Sequence, residues 1–404
     1  PYTKGGSFRK WYGNNELVVE WKNQGESIRK YNKLGNINDD FYYKPCVSWG
    51  LVSSAGLNFR YVNDYSHVIG NGGPMARVGN GTSDTNYYLL GLLNSCVTQY
   101  ISEMLNPTIN MSTGTVSNIP VILNDDAFSK VVGLVKECVD LCKEDYDEQE
   151  MSIDFKKHPM VGKNCSVKTS FELWKNECDK RFQRLKENEE LINAIFIQEY
   201  GLENELSSKV DEKYVSVSKI DEYAAIRSLI SYSVGCMFGR YSLDEDGLTF
   251  AGGDWCINDK TSFLPDADNI IPIVDEDYFE ADIVGLFFKW IRKAFGEERF
   301  DENIHYIATV LEKKGNNDRE VIRNYFIEDF YNDHCSTYSA FLAGKRPIYW
   351  LFDSGKNNGF KCLIYLHRYN PDTVGLVRSD YLTKAQSMIE NALSNAEYAI
   401  NTSP

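Results

Sequence analysis

The chain lacks most of the features that announce an enzyme or a membrane protein. No apolar run approaches the roughly 18–20 residues a membrane-spanning helix needs, and no stretch reads as a secretory signal. Histidine is scarce: none of the five falls in an H-E-x-x-H pattern or beside a nucleophile motif, and G-x-S-x-G is absent. The glycine-rich stretch GNGGPMARVGNG (70–81) fits neither G-x-G-x-x-G nor G-x-x-x-x-G-K-[ST], so it reads as tight turns rather than a phosphate cradle. Pro265-Asp266 with Glu312-Lys313-Lys314 formally fits a nuclease-type PD…E-x-K pattern. The separation is wide, however, and the second piece falls at a predicted helix end, so no nuclease is expected. The ten cysteines form no C-x-x-C and no dense framework. Cys138 and Cys142 share one face of a predicted helix and read as core packing, which implies reduced thiols in a cytosol.

What is present is a long, ordinarily composed chain, with 404 residues of which 43% are hydrophobic and 25% charged, enough for two or three domains. Its formal net charge of −15 at first argues against a nucleic-acid partner. The distribution weakens that objection. Residues 1–120 hold 10 Lys and Arg against 8 Asp and Glu, while the remainder holds 33 against 50. Basic and aromatic residues interleave in this first part: Lys4, Arg9, Lys10, Trp11 and Tyr12, then Tyr42, Tyr43, Lys44 and Trp49, then Phe59, Arg60 and Tyr61. Lys and Arg hold phosphates or read guanine edges, and aromatic rings stack on an extruded base. The same residues would also pack an ordinary sheet.

The texture changes along the chain. Residues 36–69 are aromatic and β-branched, broken by Pro45, Gly50 and Gly56, and read as strands. Leu89, Leu93, Cys96, Tyr100 and Met104 share helical spacing up to the Asn106-Pro107 stop, and a strand-like piece ends the run TINMSTGTVSNIPVI. Two long amphipathic helices follow. The first starts at Asp126, with Phe128, Val131, Val135, Cys138 and Cys142 on one face. The second starts at the capping-box pattern Thr169–Glu172, runs through Phe171, Trp174, Cys178, Phe182, Leu185, Ile192, Ile195 and Phe196, and stops at Gly201. Their charges read as solvated faces. Beyond residue 216 come helices (over IDEYAAIRSLISYSVGCMFGRYSL, then 281–297, 301–313 and 318–331), a Pro- and Asp-rich loop near 263–279, a hairpin joined by SGKNNG, and a last helix. The expected fold is α+β: a β-rich target-recognition domain over 1–124, a long-helix spacer over 125–215, and a mostly helical C-terminal domain with a β-hairpin over 216–404.

Several motifs carry a resemblance. PYTKGGSFRKWYGNNELVVEWKNQGE, VSWGLVSSAGLNFRY, LLGLLNSCVTQYISEMLNPTINMSTGTVSNIPV, SIDFKKHP, FELWKNECDKRF, VGCMFGRYSLDEDGL, VIRNYFIEDFYNDHC and KRPIYWLFDSGKNNGFKCLIYLHRYNPDTV occur in this order and span the chain. Together it resembles the part that follows the catalytic domain in the PglX family, the adenine-specific DNA methyltransferases of BREX phage-defence systems. Such enzymes transfer a methyl group from S-adenosylmethionine to adenine N6, using an Asn-Pro-Pro-Tyr-type motif and a glycine-bearing cofactor loop. Here the Asn-Pro pairs are Asn106-Pro107-Thr108 and Asn370-Pro371-Asp372, without the second proline or the aromatic. The resemblance therefore implies no catalytic or cofactor residue in this chain; S-adenosylmethionine would bind the missing N-terminal methyltransferase half, with PYTKGGSFRKWYGNNE as the cut edge.

It implies double-stranded DNA as partner, no membrane, and a cytoplasmic location. The candidate DNA-binding residues are Lys44, Ser48, Ser53, Ser54, Asn58, Arg60 and Arg77 around the predicted loops, with Lys4, Arg9, Lys10, Arg29 and Lys30 on phosphates. Lys345, Arg346, Lys356, Lys361, His367 and Arg368 in the hairpin read first as structure, His367 as a buried, satisfied histidine. The alternative role is a protein-interaction module docking other BREX proteins or a DNA-mimic phage inhibitor.

Overall fold

The computed structural model describes residues 2–402 except 4, 32–43, 53–55, 64–67, 70–72, 79–81, 107, 109, 257–260, 341–343, 346 and 356–358. Two compact units share these residues. The first comprises Pro1–Ile153 and Asn176–Lys219, the second Asp154–Lys175 and Ile220–Pro404. The architecture is α+β: helices carry most of the ordered chain and the sheets are small.

In the first unit, β1 (Tyr2–Thr3) precedes α1 (Glu26–Tyr31), β2 (Cys46–Ser48), β3 (Arg60–Val62), β4 (Val68–Ile69) and β5 (Met75–Ala76). β2 is the centre of an antiparallel sheet in the order β3-β2-β5, with Val47 opposite Tyr61 and Ala76, and β1 pairs in parallel with β4. The single helix expected over 89–104 is two, α2 (Ser83–Leu93) and α3 (Cys96–Leu105). Ser95 breaks it: its side chain accepts from the Thr98 N–H and caps the second helix. A short α4 (Thr113–Ser117) follows, and the strand expected at 119–122 does not form. There the Tyr200 hydroxyl donates to the Pro120 carbonyl, and Val121, Ile122 and Leu123 stay exposed.

The two long helices are α5 (Asp125–Asp147) and α6 (Val167–Glu199), the latter divided between the units. Each begins slightly before its expected start. Asn124, not Asp126, caps α5, and Ser166, not Thr169, caps α6, its Oγ accepting from the Thr169 N–H. Gly201 stands where expected, at φ +65°, and the Leu202 N–H reaches back to the Ile197 carbonyl, a closure that an L side chain at 201 would strain. The apolar stripes bury Val131, Val135, Cys138, Cys142, Phe182, Leu185, Ile192 and Phe196 together with Trp49, Phe59 and Tyr88. Each such ring or branched chain contributes about 1.5–3 kcal/mol. Burial drives both thiols, Cys138 and Cys142, well above the usual cysteine range, as inert core residues require.

The second unit adds α7 (Glu222–Met237), β6 (Ile271–Ile273), α8 (Ile283–Phe295), α9 (Phe300–Leu311), α10 (Asp318–Glu328), α11 (Phe330–Thr337), β7 (Ser339–Ala340), β8 (Gly344–Lys345), β9 (Tyr349–Asp353), β10 (Lys361–Tyr365), α12 (Thr373–Leu376) and α13 (Thr383–Thr402). The hairpin forms as expected, with Leu351 opposite Leu363. β10 is its buried central strand, because β6 pairs along the other edge. β6 lies in the stretch read as a Pro- and Asp-rich loop. Pro272 is tolerated because β6 is an edge strand, which needs no donor on its outer side.

Candidate nucleic-acid interface

The first 30 residues show how the fold sorts the cations of the first unit. Trp11, at φ +70°, bridges to β3: its N–H donates to the Phe59 carbonyl and its own carbonyl accepts from the Tyr61 N–H. That anchor carries Arg9 and Lys10 inward. Lys10 Nζ lies 2.6 Å from one oxygen of Glu189, and Trp11 Nε1 donates to the other at 2.6 Å. Arg9 pairs with Asp145 at 3.1 Å and stacks 5.0 Å over the Tyr146 ring. Asp145 also accepts from the Ser218 N–H. The Tyr146 hydroxyl donates to Glu16 and accepts from the Asn15 N–H. A segment with no regular structure is thereby held by side chains on α5 and α6.

Neither acid was foreseen, since the helix charges read as solvated. The signal was nonetheless present in the spacing. Glu189 continues the stripe Cys178, Phe182, Leu185 at one step of four and precedes Ile192 by three; Asp145 stands three beyond Cys142. Both carboxylates occupy core positions of their helices, at 3% and 4% exposure, where a charge requires a partner.

The structure sorts the remaining candidates by solvent access. Arg60 is 2% exposed, and burial pushes its guanidinium down to about 10 against the opposing pull of Glu16 and Tyr146. Ser48 and Asn58 are also buried, and the Asn58 side chain accepts from the Gly50 N–H. Arg29, Lys30 and Lys44 face solvent and Arg77 is half-buried. Arg29 donates to the Gln24 carbonyl and lies over Trp21 at 5.8 Å, which presents it from α1. Lys4, Ser53 and Ser54 lie outside the described residues.

In the hairpin, Lys361 and Arg368 are buried, donating to the Ile327 carbonyl and to those of Phe238 and Ala267. His367, expected inside, is exposed because the strand ends at Tyr365 and a tight turn carries it out. Arg346 and Lys356 lie outside the described residues, as does the side chain of Lys345. The two nuclease-like pieces serve local structure: Asp266 accepts from the Ile270 N–H, and Lys313 pairs with Glu328 and Asp329. Asn106 and Asn370 likewise close turns, the first donating to the Asn110 carbonyl and the second accepting from the Asp372 N–H.

Among the described residues no helix is long and apolar enough to cross a membrane. No family model matches the chain. Two curated proteins do. The adenine-specific methyltransferase PglX of Lacticaseibacillus casei (strain Zhang) is 38% identical over 409 residues, covering 97% of this chain and 33% of the relative. The adenine-specific methyltransferase BrxX of Escherichia coli O9:H4 (strain HS) is 33% identical over 410 residues, covering 95% of this chain and 33% of the relative. The chain thus spans about a third of the length of these relatives, and the resemblance carried by its motifs extends over nearly all of it.

Proposed function

We propose that this chain, similar along nearly its whole length to one third of two adenine-specific methyltransferases, is the target-recognition part of a BREX-type DNA N6-adenine methyltransferase used in phage defence and self-marking. The observation that carries the reading is that near-complete, one-third match. An enzyme that modifies a base must find a short site and extrude the adenine, and a domain apart from the catalytic one can do the finding. Methyl transfer and S-adenosylmethionine binding belong in this reading to the two thirds of the relatives that the chain does not match, and the Asn-Pro pairs here without a second proline or aromatic support it.

In the first unit Arg29, Lys30 and Lys44 face solvent and Arg77 is half-buried, and these are the cations this reading places on phosphates. Arg9, Lys10 and Arg60 instead set the frame that presents them. The acidic balance of residues 121–404, 33 Lys and Arg against 50 Asp and Glu, favours protein contact there, with other BREX proteins or a DNA-mimic inhibitor as partners. The test is duplex binding measured across a salt series. A DNA reader loses affinity as salt rises, and Arg29→Gln with Lys30→Gln lowers the slope of log K against log salt by about 2. Absence of binding at low salt, or an unchanged slope, contradicts the assignment.

A further inference from the structure

The motif at 234–248, VGCMFGRYSLDEDGL, takes no part in that basic surface, yet it builds a cavity wall in the second unit. Gly235 and Gly239 lie at the end of α7. A Cβ on Gly235 would stand 2.4 Å from the Tyr241 ring, and one on Gly239, at φ +74°, 2.2 Å from the Trp255 ring. Glycine at these two positions lets both rings press directly against the backbone. With Phe250 and Phe263 they enclose a cavity of about 200 Å³, into whose lining Asp254 also enters. That is room for one heteroaromatic ring system and too little for a drug-sized ligand.

Trp255 is held firmly. Arg368 stacks 3.8 Å over its ring, and Phe250 packs edge-on at 4.9 Å. Its Nε1–H is sealed from solvent, so the ring rather than the donor lines the cavity.

Next to the cavity stands a cation for which the described residues supply no counter-charge. Arg240 Nε donates to the Tyr241 hydroxyl at 3.2 Å and Nη1 to the Tyr365 hydroxyl at 3.1 Å, while Tyr365 donates to the Phe250 carbonyl. Among the described residues no carboxylate pairs with Arg240. Its Nη2 makes no hydrogen bond there and is not sealed from solvent. The exposed His367 ring packs 5.2 Å from Tyr365, and Gly252 borders its Nδ1. Burial and the Arg240 charge together hold that imidazole below its ordinary range, as expected where a neighbouring cation has no acid to offset it. Tyr241 and Phe250 belong both to the cavity and to the Arg240 contacts. The aromatic slot and the open guanidinium are therefore adjoining parts of one surface.

We propose that the second unit carries a nucleotide site, with a heterocyclic base in the Trp255 cavity and its phosphate on Arg240 beside His367. A purine stacks in the aromatic slot and offers an amino group to Asp254, and a phosphate takes the open edge of the Arg240 fork. The nucleotide comes either free or as part of a single strand.

Calorimetric titration of the 404-residue chain with AMP, adenosine, inorganic phosphate and a short oligo(dA) tests the site. AMP binds saturably at one site, and adenosine at least about tenfold more weakly. Arg240→Gln weakens AMP about tenfold but adenosine little. Trp255→Ala, which removes the ring from the cavity wall, weakens both several-fold. Arg240→Lys, which retains the charge, falls between the wild type and Arg240→Gln. An oligonucleotide that binds more tightly than AMP through Arg240 identifies the strand as the source, and equal or weaker binding identifies the free nucleotide. The proposal is overturned if neither AMP, GMP, CMP, UMP nor the oligonucleotide binds at concentrations up to about 10 mM. It is equally overturned if binding is unchanged in both Trp255→Ala and Arg240→Gln.

Discussion

Replacing Lys10 by Met would separate the structural cations from the solvent-exposed ones. Lys10 Nζ sits 2.6 Å from Glu189, with side-chain exposures of 9% and 3%. Removing one member of such a buried pair strands the other charge, at a cost of about 3–5 kcal/mol. Here the loss belongs at the lower end, about 3 kcal/mol, because Trp11 Nε1 still donates to the second Glu189 oxygen. In urea, with an m-value of about 3 kcal/mol/M, the unfolding transition of the first unit moves down by about 1 M. Fluorescence reports it, since Trp11 is buried in that unit. Adding Glu189→Gln removes the stranded charge while leaving the indole an amide oxygen to bond. The double variant should regain at least half of the lost stability, a coupling of about 1.5 kcal/mol or more. A Lys10→Met shift under about 0.3 M, or no recovery in the double variant, would refute the view that this lysine is committed to the interior.

Other outcomes follow from the same structure. His158 and His334 are both buried and neutral: His158 Nδ1 accepts from the Met160 N–H, and His334 Nε2 accepts from the Ile348 N–H. Burial pushes each down to about 3. Their folded values lie below the unfolded one, so stability present above pH 6.5 is lost as pH falls, by up to about 1.4 kcal/mol per pH unit for each. Chemical denaturation of the second unit at pH 7 and pH 5 should differ by about 2 kcal/mol per histidine, and His158→Gln should flatten the profile. Leu363→Ala in the buried strand β10 should cost about 2–5 kcal/mol; a urea midpoint equal to wild type would show that the strand is not central to its sheet. Charge reversal of Arg29 and Lys30, both exposed on α1, should leave the urea midpoint unchanged and weaken duplex binding at low salt.

Helix periodicity was the most legible layer of the sequence. The stripe from Phe171 to Phe196 and that from Val131 to Cys142 follow from local spacing, and the structure buries nearly all their members. The hairpin was legible for a similar reason, since alternating apolar runs flank a Gly- and Asn-rich turn. Starts and breaks were less so. Ser95 and Ser166 act as caps through single hydrogen bonds, from the Thr98 and Thr169 N–H groups, that local composition does not single out. β6 was hidden because a three-residue edge strand with a central proline draws its identity from its partner β10.

The candidate interface was the least legible part, because the fate of a cation depends on distant residues. Arg9 and Lys10 look like Arg29 and Lys30 in sequence. Partners 136 and 179 positions away draw the first two inward, and nothing comparable buries the second two. Reading Asp145 and Glu189 as members of the apolar stripes, rather than as solvated charges, would have foretold that the stripes bury cations as well.

The central claim, that this chain reads a DNA sequence, is tested most directly by selection from a pool of random duplexes. The purified chain would be carried through successive rounds at moderate salt and the retained duplexes sequenced. The account predicts enrichment of one short recurring site, with each changed base pair in it weakening binding by about 1–3 kcal/mol. Retention of duplexes with no shared site, or no retention at all, would contradict it.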